Sequence, residues 1–205
     1  MNSQPSNIWV FPIEPIETRY TSQWRMHIPA ILKTKFPDRK VINIDGVQNN
    51  TEPTPGAFLN FSDTNYWKSS QLCEFLKHYN MHQTTTNDCF LFTDAWNPVI
   101  LQIKYMKDLL GLNWKLFGLW HAGSYDPEDA LGQKIGNKNW VRYTEKALFN
   151  SLDYSYFATE FHRQLVYQNL FLNKDSFDDV RLSLSGWPME YMEKTLEPFQ
   201  NVEKE

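Results

Sequence analysis

Short, almost wholly apolar runs alternate with stretches of helical spacing at least five times along this chain, and that alternation restricts the fold more than any other feature. The runs cover residues 8–11, 41–45, 88–94, 114–120, 153–159 and 180–185. The first of them, Ile8-Trp9-Val10-Phe11, is wholly apolar and reads as a central strand buried on both faces. Between them, Leu72, Phe75, Leu76 and Tyr79 fall at helical spacing, as do Val99, Ile103, Met106 and Leu110. Asn97 and Pro98 mark the start of that second helix and Gly111 its end. Trp140, Tyr143, Ala147, Leu148 and Ser151 mark another apolar stripe, and residues 161–172 a further helix. Residues 28–36 complete an earlier helix, with Pro29 tolerated near its first turn. Residues 57–61 form a short strand or an irregular segment, and 128–139 a polar connector. Strand–helix alternation of this kind predicts a mainly parallel α/β sheet with helices on both faces.

Right-handed crossovers place every strand's carboxyl end along one edge, where open α/β sheets bind ligands. The residues expected there are Glu14, Arg19, Tyr20 and Trp24 after the first strand, and Asp94 after the third. His121, Gly123, Ser124 and Asp126 follow the fourth, Glu160 and His162 the fifth, and Trp187 the last. The fourth group is the most pointed. An apolar strand breaks into His121-Ala122-Gly123-Ser124, which sets a titratable imidazole beside backbone that a ligand can approach closely.

Several chemistries are excluded by what is missing. No Gly-x-Gly-x-x-Gly follows the first strand, no Walker loop occurs, and no Gly-x-Ser-x-Gly elbow is present. Asp45 reads as a turn residue. His121, Asp94 and His162 are too dispersed to carry a metal-site signature, so no metal is expected. A net charge of −4 gives no global footprint for nucleic acid. Cys73 and Cys89 form neither a disulfide framework nor a metal spacing, which points to a reducing compartment. The polar N-terminus is no signal peptide, and no apolar run approaches the roughly 20 residues of a membrane span. A cytoplasmic protein is expected. What remains is acid/base or electrostatic work by histidine and carboxylates, with aromatic residues (16% of the chain) available to hold a polar substrate. Sugar transfer fits that inventory.

Four segments carry a family resemblance: Phe90-Leu91-Phe92-Thr93-Asp94-Ala95-Trp96-Asn97-Pro98, then Leu119-Trp120-His121-Ala122-Gly123-Ser124-Tyr125-Asp126-Pro127, then Ala158-Thr159-Glu160-Phe161-His162, and Ser185-Gly186-Trp187-Pro188. In these the chain resembles the N-terminal half of a glycosyltransferase with the two-domain GT-B architecture. It looks most like the glycosyltransferase-like proteins of large tailed bacteriophages, which would place it in the host cytoplasm. The resemblance implies a Rossmann-like acceptor-binding domain over residues 1–188 and an interdomain linker or tail over 189–205. A nucleotide-sugar would serve as donor substrate, with no cofactor, and the acceptor would be a glycan, a protein or a modified nucleic acid. In that reading His121 gives acid/base or oxyanion help, and Asp94 and Glu160 orient the acceptor hydroxyl or the imidazole. Tyr20, Trp24 and Trp187 stack on the acceptor. Glu14, Arg19, Gly123, Ser124, Asp126 and His162 complete the binding surface. Two departures from the family pattern stand out. The first loop reads Glu14-Pro15-Ile16-Glu17 instead of a glycine pair, and the sequence stops at Glu205, where a donor-binding domain would follow. The donor half is therefore expected from a separate partner or the remainder of a longer protein. The alternative expectation is a binding or assembly module, including a homo-oligomer, without transfer activity.

Overall fold

The computed structural model describes residues 6–17, 19–49, 60–171 and 181–196. Among these, β1 (Ile8–Phe11), β2 (Val41–Asn43), β3 (Cys89–Phe92), β4 (Lys115–Trp120), β5 (Tyr154–Phe157) and β6 (Leu182–Leu184) form one sheet in the order β2-β1-β3-β4-β5-β6. Every neighbouring pair is parallel. The helices are α1 (Tyr20–Lys35), α2 (Phe61–Asn80), α3 (Val99–Leu109), α4 (Ala130–Ile135), α5 (Asn139–Ser151), α6 (Glu160–Leu165) and α7 (Tyr191–Leu196). A π-helical turn, Val166–Leu170, continues α6. The fold is the expected Rossmann-like α/β sheet. The chain reverses direction across the sheet between β1 and β3, so the crevice of a doubly wound fold opens at the carboxyl ends of those two strands.

Strand alternation divides the sheet into two unequal layers. Trp9, Phe11, Phe90, Phe92, Leu116, Trp120 and Phe157 face one way and meet Phe75 of α2, Val99 and Ile103 of α3, and Leu148 and Phe149 of α5. This layer holds most of the core. Phe11 stacks on Phe92 at 4.6 Å and Trp120 on Phe149 at 3.9 Å. The opposite layer is smaller. It consists of Trp24 and Ile28 of α1 against Leu119, with Leu91, Tyr156, Trp187 and Tyr191 around them. At the amino edge, the buried Asp88 carboxylate ties the two central strands together. It accepts from the Asn7 amide (2.8 Å), the Trp9 indole (2.7 Å) and the Thr85 amide (3.0 Å).

Several local expectations are corrected. α1 begins at Tyr20 rather than near residue 28, so Pro29 lies well inside it. Proline removes the N–H that would reach the carbonyl four residues earlier, here Arg25. The Asn43 side-chain amide of β2 donates to that carbonyl at 3.1 Å instead. The long-range replacement bond explains why the helix tolerates proline there. The 128–139 connector contains α4, capped by the Asp129 carboxylate on the Leu131 amide. Within residues 189–205, read from sequence as an interdomain linker or tail, lies the short helix α7. On α5, Trp140 and Tyr143 are 58% and 71% exposed, and the buried face is Val141, Glu145, Leu148 and Phe149. Residues 57–59, 172 and 180, assigned to elements from sequence, lie outside the described residues; Asn60 and Phe61 cap and open α2.

The Pro29 arrangement gives a double-mutant test. Asn43→Ala should cost about 1 kcal/mol, the size of one lost buried hydrogen bond. In a Pro29→Ala background the helix supplies its own N–H to Arg25, so the same change should cost measurably less. Urea unfolding of the four proteins reads the coupling; strictly additive effects would dismiss the proposed compensation.

Candidate functional site

α2 presents a polar face at i, i+3, i+4 and i+7 to the carboxyl ends of β1 and β3, and this face builds the floor of the crevice. The Thr64 hydroxyl donates to Glu14 at 2.7 Å. The Trp67 indole donates to the Pro12 carbonyl at 3.0 Å. Gln71 donates to the carbonyls of Pro12 and Ile44, and accepts from Asn97 at 3.1 Å. Lys68 donates to the Trp96 carbonyl at 2.5 Å and forms an ion pair with Asp94 at 2.7 Å. The two side chains of that pair are only 12% and 14% exposed. Burial alone would raise the Asp94 carboxyl. The charges of Lys68 and His121, the Lys68 hydrogen bond and the Trp96 N–H outweigh it, and the pKa is lowered. Asp94 is therefore ionised at neutral pH.

His121 stands beside this carboxylate at the end of β4, with both ring nitrogens engaged. Nε2 faces the Thr93 carbonyl at 2.5 Å, and Nδ1 faces the Tyr20 hydroxyl at 2.7 Å. A carbonyl can only accept, so Nε2 carries the proton and Nδ1 accepts from Tyr20. Burial drives the His121 pKa down, and the opposing pulls of Asp94 and the Thr93 carbonyl do not overcome it. Burial, reinforced by the Asp94 charge, pushes the Tyr20 hydroxyl up to about 12. Both directions favour a neutral imidazole bonded to a protonated phenol. Aromatic rings close around them: Tyr20 stacks on the imidazole at 5.9 Å, with Trp24 at 5.1 Å and Trp187 at 5.0 Å. The Trp24 indole N–H in this cage is buried and has no hydrogen-bond acceptor.

The rest of the loop is held from α5. The buried Glu145 accepts from the Ser124 amide at 2.5 Å, the Ser124 hydroxyl at 2.7 Å and the Trp96 indole at 3.0 Å. Burial raises its pKa, and those donors hold the rise in check. One carboxylate thus fixes the loops after β3 and β4 together. Tyr125 is buried beneath, and its hydroxyl meets His162 Nε2 at 2.7 Å. Burial lowers the His162 pKa, and the nearby His121 adds to the effect.

Of the residues predicted from sequence, the structure brings together Asp94, His121, Tyr20, Trp24 and Trp187, with Arg19 immediately before Tyr20. Glu14 and His162 flank this group through Thr64 and Tyr125. Gly123 and Ser124 are buried, and the hydroxyl of Ser124 is committed to Glu145. Asp126 accepts from the Glu128 amide in its own turn. Glu160 pairs with Arg163 at 2.8 Å and accepts from Gln164, contacts within its own helix. It makes no hydrogen bond to His121 or Asp94 among the described residues. Lys68, Glu145 and Thr93 were not anticipated. The only sequence signal for the first two is a charged residue between apolar positions of a helix, which ordinarily marks the solvent face. No group of three or more metal-ligating side chains occurs among the described residues. No helix there is long and apolar enough to cross a membrane.

No protein-family model matches this chain, and comparison with curated proteins yields no match.

Two outcomes follow from the electrostatics. Lys68→Met should destabilise the fold by about 3–5 kcal/mol, because it strands the buried Asp94 charge. Adding Asp94→Asn should restore part of that loss, and chemical denaturation of the single and double variants measures it. The second outcome concerns pH. His121 and His162 titrate below the ordinary value of 6.5 in the folded protein. The unfolded chain therefore binds more protons than the folded one as pH falls from 6.5 toward the folded values. Stability should decline across that window, by at most about 1.4 kcal/mol per pH unit for each imidazole. His121→Gln should flatten the slope. An unchanged slope in urea titrations at stepped pH would contradict the assignment.

Proposed function

We propose that this chain is the acceptor-side domain of a GT-B type glycosyltransferase, which transfers a sugar from a nucleotide-sugar to a hydroxylated acceptor. The observation that carries this reading is the neutral His121, joined through Nδ1 to the Tyr20 hydroxyl and near the ionised Asp94, inside a cage of aromatic rings. A general base must be unprotonated at working pH, and burial keeps His121 so. Tyr20 occupies the basic nitrogen, so the proton travels through it. The acceptor hydroxyl gives its proton to the Tyr20 oxygen as Tyr20 passes its own to His121 Nδ1. The acceptor oxygen bonds to the anomeric carbon, and the bond from that carbon to the nucleotide's phosphate oxygen breaks. The Asp94 charge stabilises the imidazolium that forms, through space rather than by contact. Trp187, half-buried, offers a face for a sugar ring, whereas Trp24, predicted from sequence to stack on the acceptor, is 1% exposed and backs the cage from the core. The donor nucleotide would be held by a second α/β domain. Glu160 has no part in this scheme, since its partners lie within α6. The sequence resemblance supports a bacteriophage origin and a host-cytoplasmic location.

The test is nucleoside diphosphate release by the full-length gene product across panels of nucleotide-sugars and glycan, protein and hydroxylated-base acceptors. Acceptor-dependent release is expected. Tyr20→Phe and His121→Gln should each lower kcat by about 10²–10⁴-fold, the usual contribution of general-base catalysis. Wild-type turnover in both variants would remove the relay. Failure of every nucleotide-sugar to bind or react would remove the transferase reading.

A further inference from the structure

The smaller layer of the sheet carries a second feature, separate from the His121 crevice. A groove of about 380 Å³ runs between α1 and the segment that leads into α7. Its floor is Leu91, Phe117, Leu119 and Tyr156, and Ile28 and Leu32 form its α1 wall. It follows β3 from Cys89 to Thr93, roughly 13 Å at strand rise. The volume lies within the range of small-ligand pockets.

Two of its hydroxyls are already engaged. The Thr93 hydroxyl accepts from the Ile13 amide, and the Ser185 hydroxyl donates to the carbonyls of Phe157 and Gly186. An occupant therefore meets mainly hydrocarbon along the length of the groove, with the hydroxyl of Tyr156 as a further polar group on its floor. The two ends differ in charge. At the carboxyl end the Glu190 carboxylate is hydrogen-bonded to His27 Nε2 at 2.9 Å. At the amino end Arg39 is held over the Phe36 ring at 5.5 Å, and it donates to Cys89 Sγ at 3.6 Å. It has no carboxylate partner among the described residues. A guanidinium fixed by an aromatic ring and a thiol, with no counter-ion, is a ready anchor for a carboxylate at that mouth.

We propose that this groove binds a single-chain anionic amphiphile, a free fatty acid. Its carboxylate sits on Arg39 and its hydrocarbon chain lies along β3 toward Thr93. The site uses different residues from the transferase reading and stands or falls separately from it. Its far end shares Thr93 with the crevice, and the carbonyl of Thr93 holds His121, so a bound chain adjoins the candidate centre without entering it.

Isothermal titration of the full chain with dodecanoate, below its micelle concentration, tests this. One saturable site is expected, with weaker binding of dodecanol. Arg39→Glu alters an exposed residue and should leave the fold intact. It should weaken dodecanoate by about tenfold or more, the value of one charge-assisted contact, and leave dodecanol roughly unchanged. Ile31→Trp, on the α1 rim, should narrow the groove and weaken both ligands. Absence of saturable binding by either ligand would overturn the proposal, as would equal dodecanoate affinity in wild type and Arg39→Glu. Binding only to phosphatidylglycerol vesicles would overturn it too, because the partner would then be a membrane surface.

Discussion

The buried ion pair between Lys68 and Asp94 is the constraint from which the rest of the crevice follows. A carboxylate at the end of a central strand cannot stay charged in a protein interior without compensation. α2 brings that compensation across β1, and the same helix face then fixes the ends of β1 and β3 through Thr64, Trp67 and Gln71. With Asp94 ionised, the adjacent His121 lies in a negative field that favours its protonation. Burial nevertheless wins, and the imidazole stays neutral. The result is a base whose uncharged form is stable at rest and whose charged form has a stabilising neighbour waiting.

The fold was legible because buried parallel strands leave a strong mark. Apolar runs such as Ile8–Phe11 and residues 114–120 have no amphipathic alternative in a chain of this composition. His121 and Asp94 were legible for a related reason, since each is the first titratable group after such a run. Their partners were not. Lys68 and Glu145 sit on helices, where a lone charge normally marks the solvent face, and only tertiary packing turns them inward. Helix α5 makes the point sharply. Its apolar residues can be joined along two faces, and the face containing Trp140 and Tyr143 has the larger side chains. The chain buries the other one, because Glu145 is needed beneath Ser124 and Trp96. A stripe interrupted by a carboxylate looks like the wrong stripe until its hydrogen-bond partners are known.

The unequal layers of the sheet follow from the strand order. Only the β1-to-β2 crossover runs opposite to the others, so right-handedness makes α1 the one crossover helix on its side, where the chain beyond β6 also packs, while α2, α3, α5 and α6 share the other. One helix cannot cover six strands. The groove over β3 and β4 is therefore a consequence of topology and would persist through most changes of side chain.

That same helix connects the two candidate regions. α1 delivers Tyr20 to His121 from its first turn, and two turns later lines the groove with Ile28 and Leu32. Its position is set by β2 through Arg25, whose side chain pairs with Asp45 at 2.7 Å and whose carbonyl, freed by Pro29, accepts from Asn43. Asp45, expected as a simple turn residue, is thus half of the clamp on α1. A helix carrying an internal proline lacks one backbone bond at the point of the clamp, so its two halves depend more on external contacts than an uninterrupted helix would. Tyr20 thus reaches His121 from a helix tied both to β2 at the edge of the sheet and, through Trp24 and Ile28, to Leu119 at its centre, where the chemistry proposed for that pair lies.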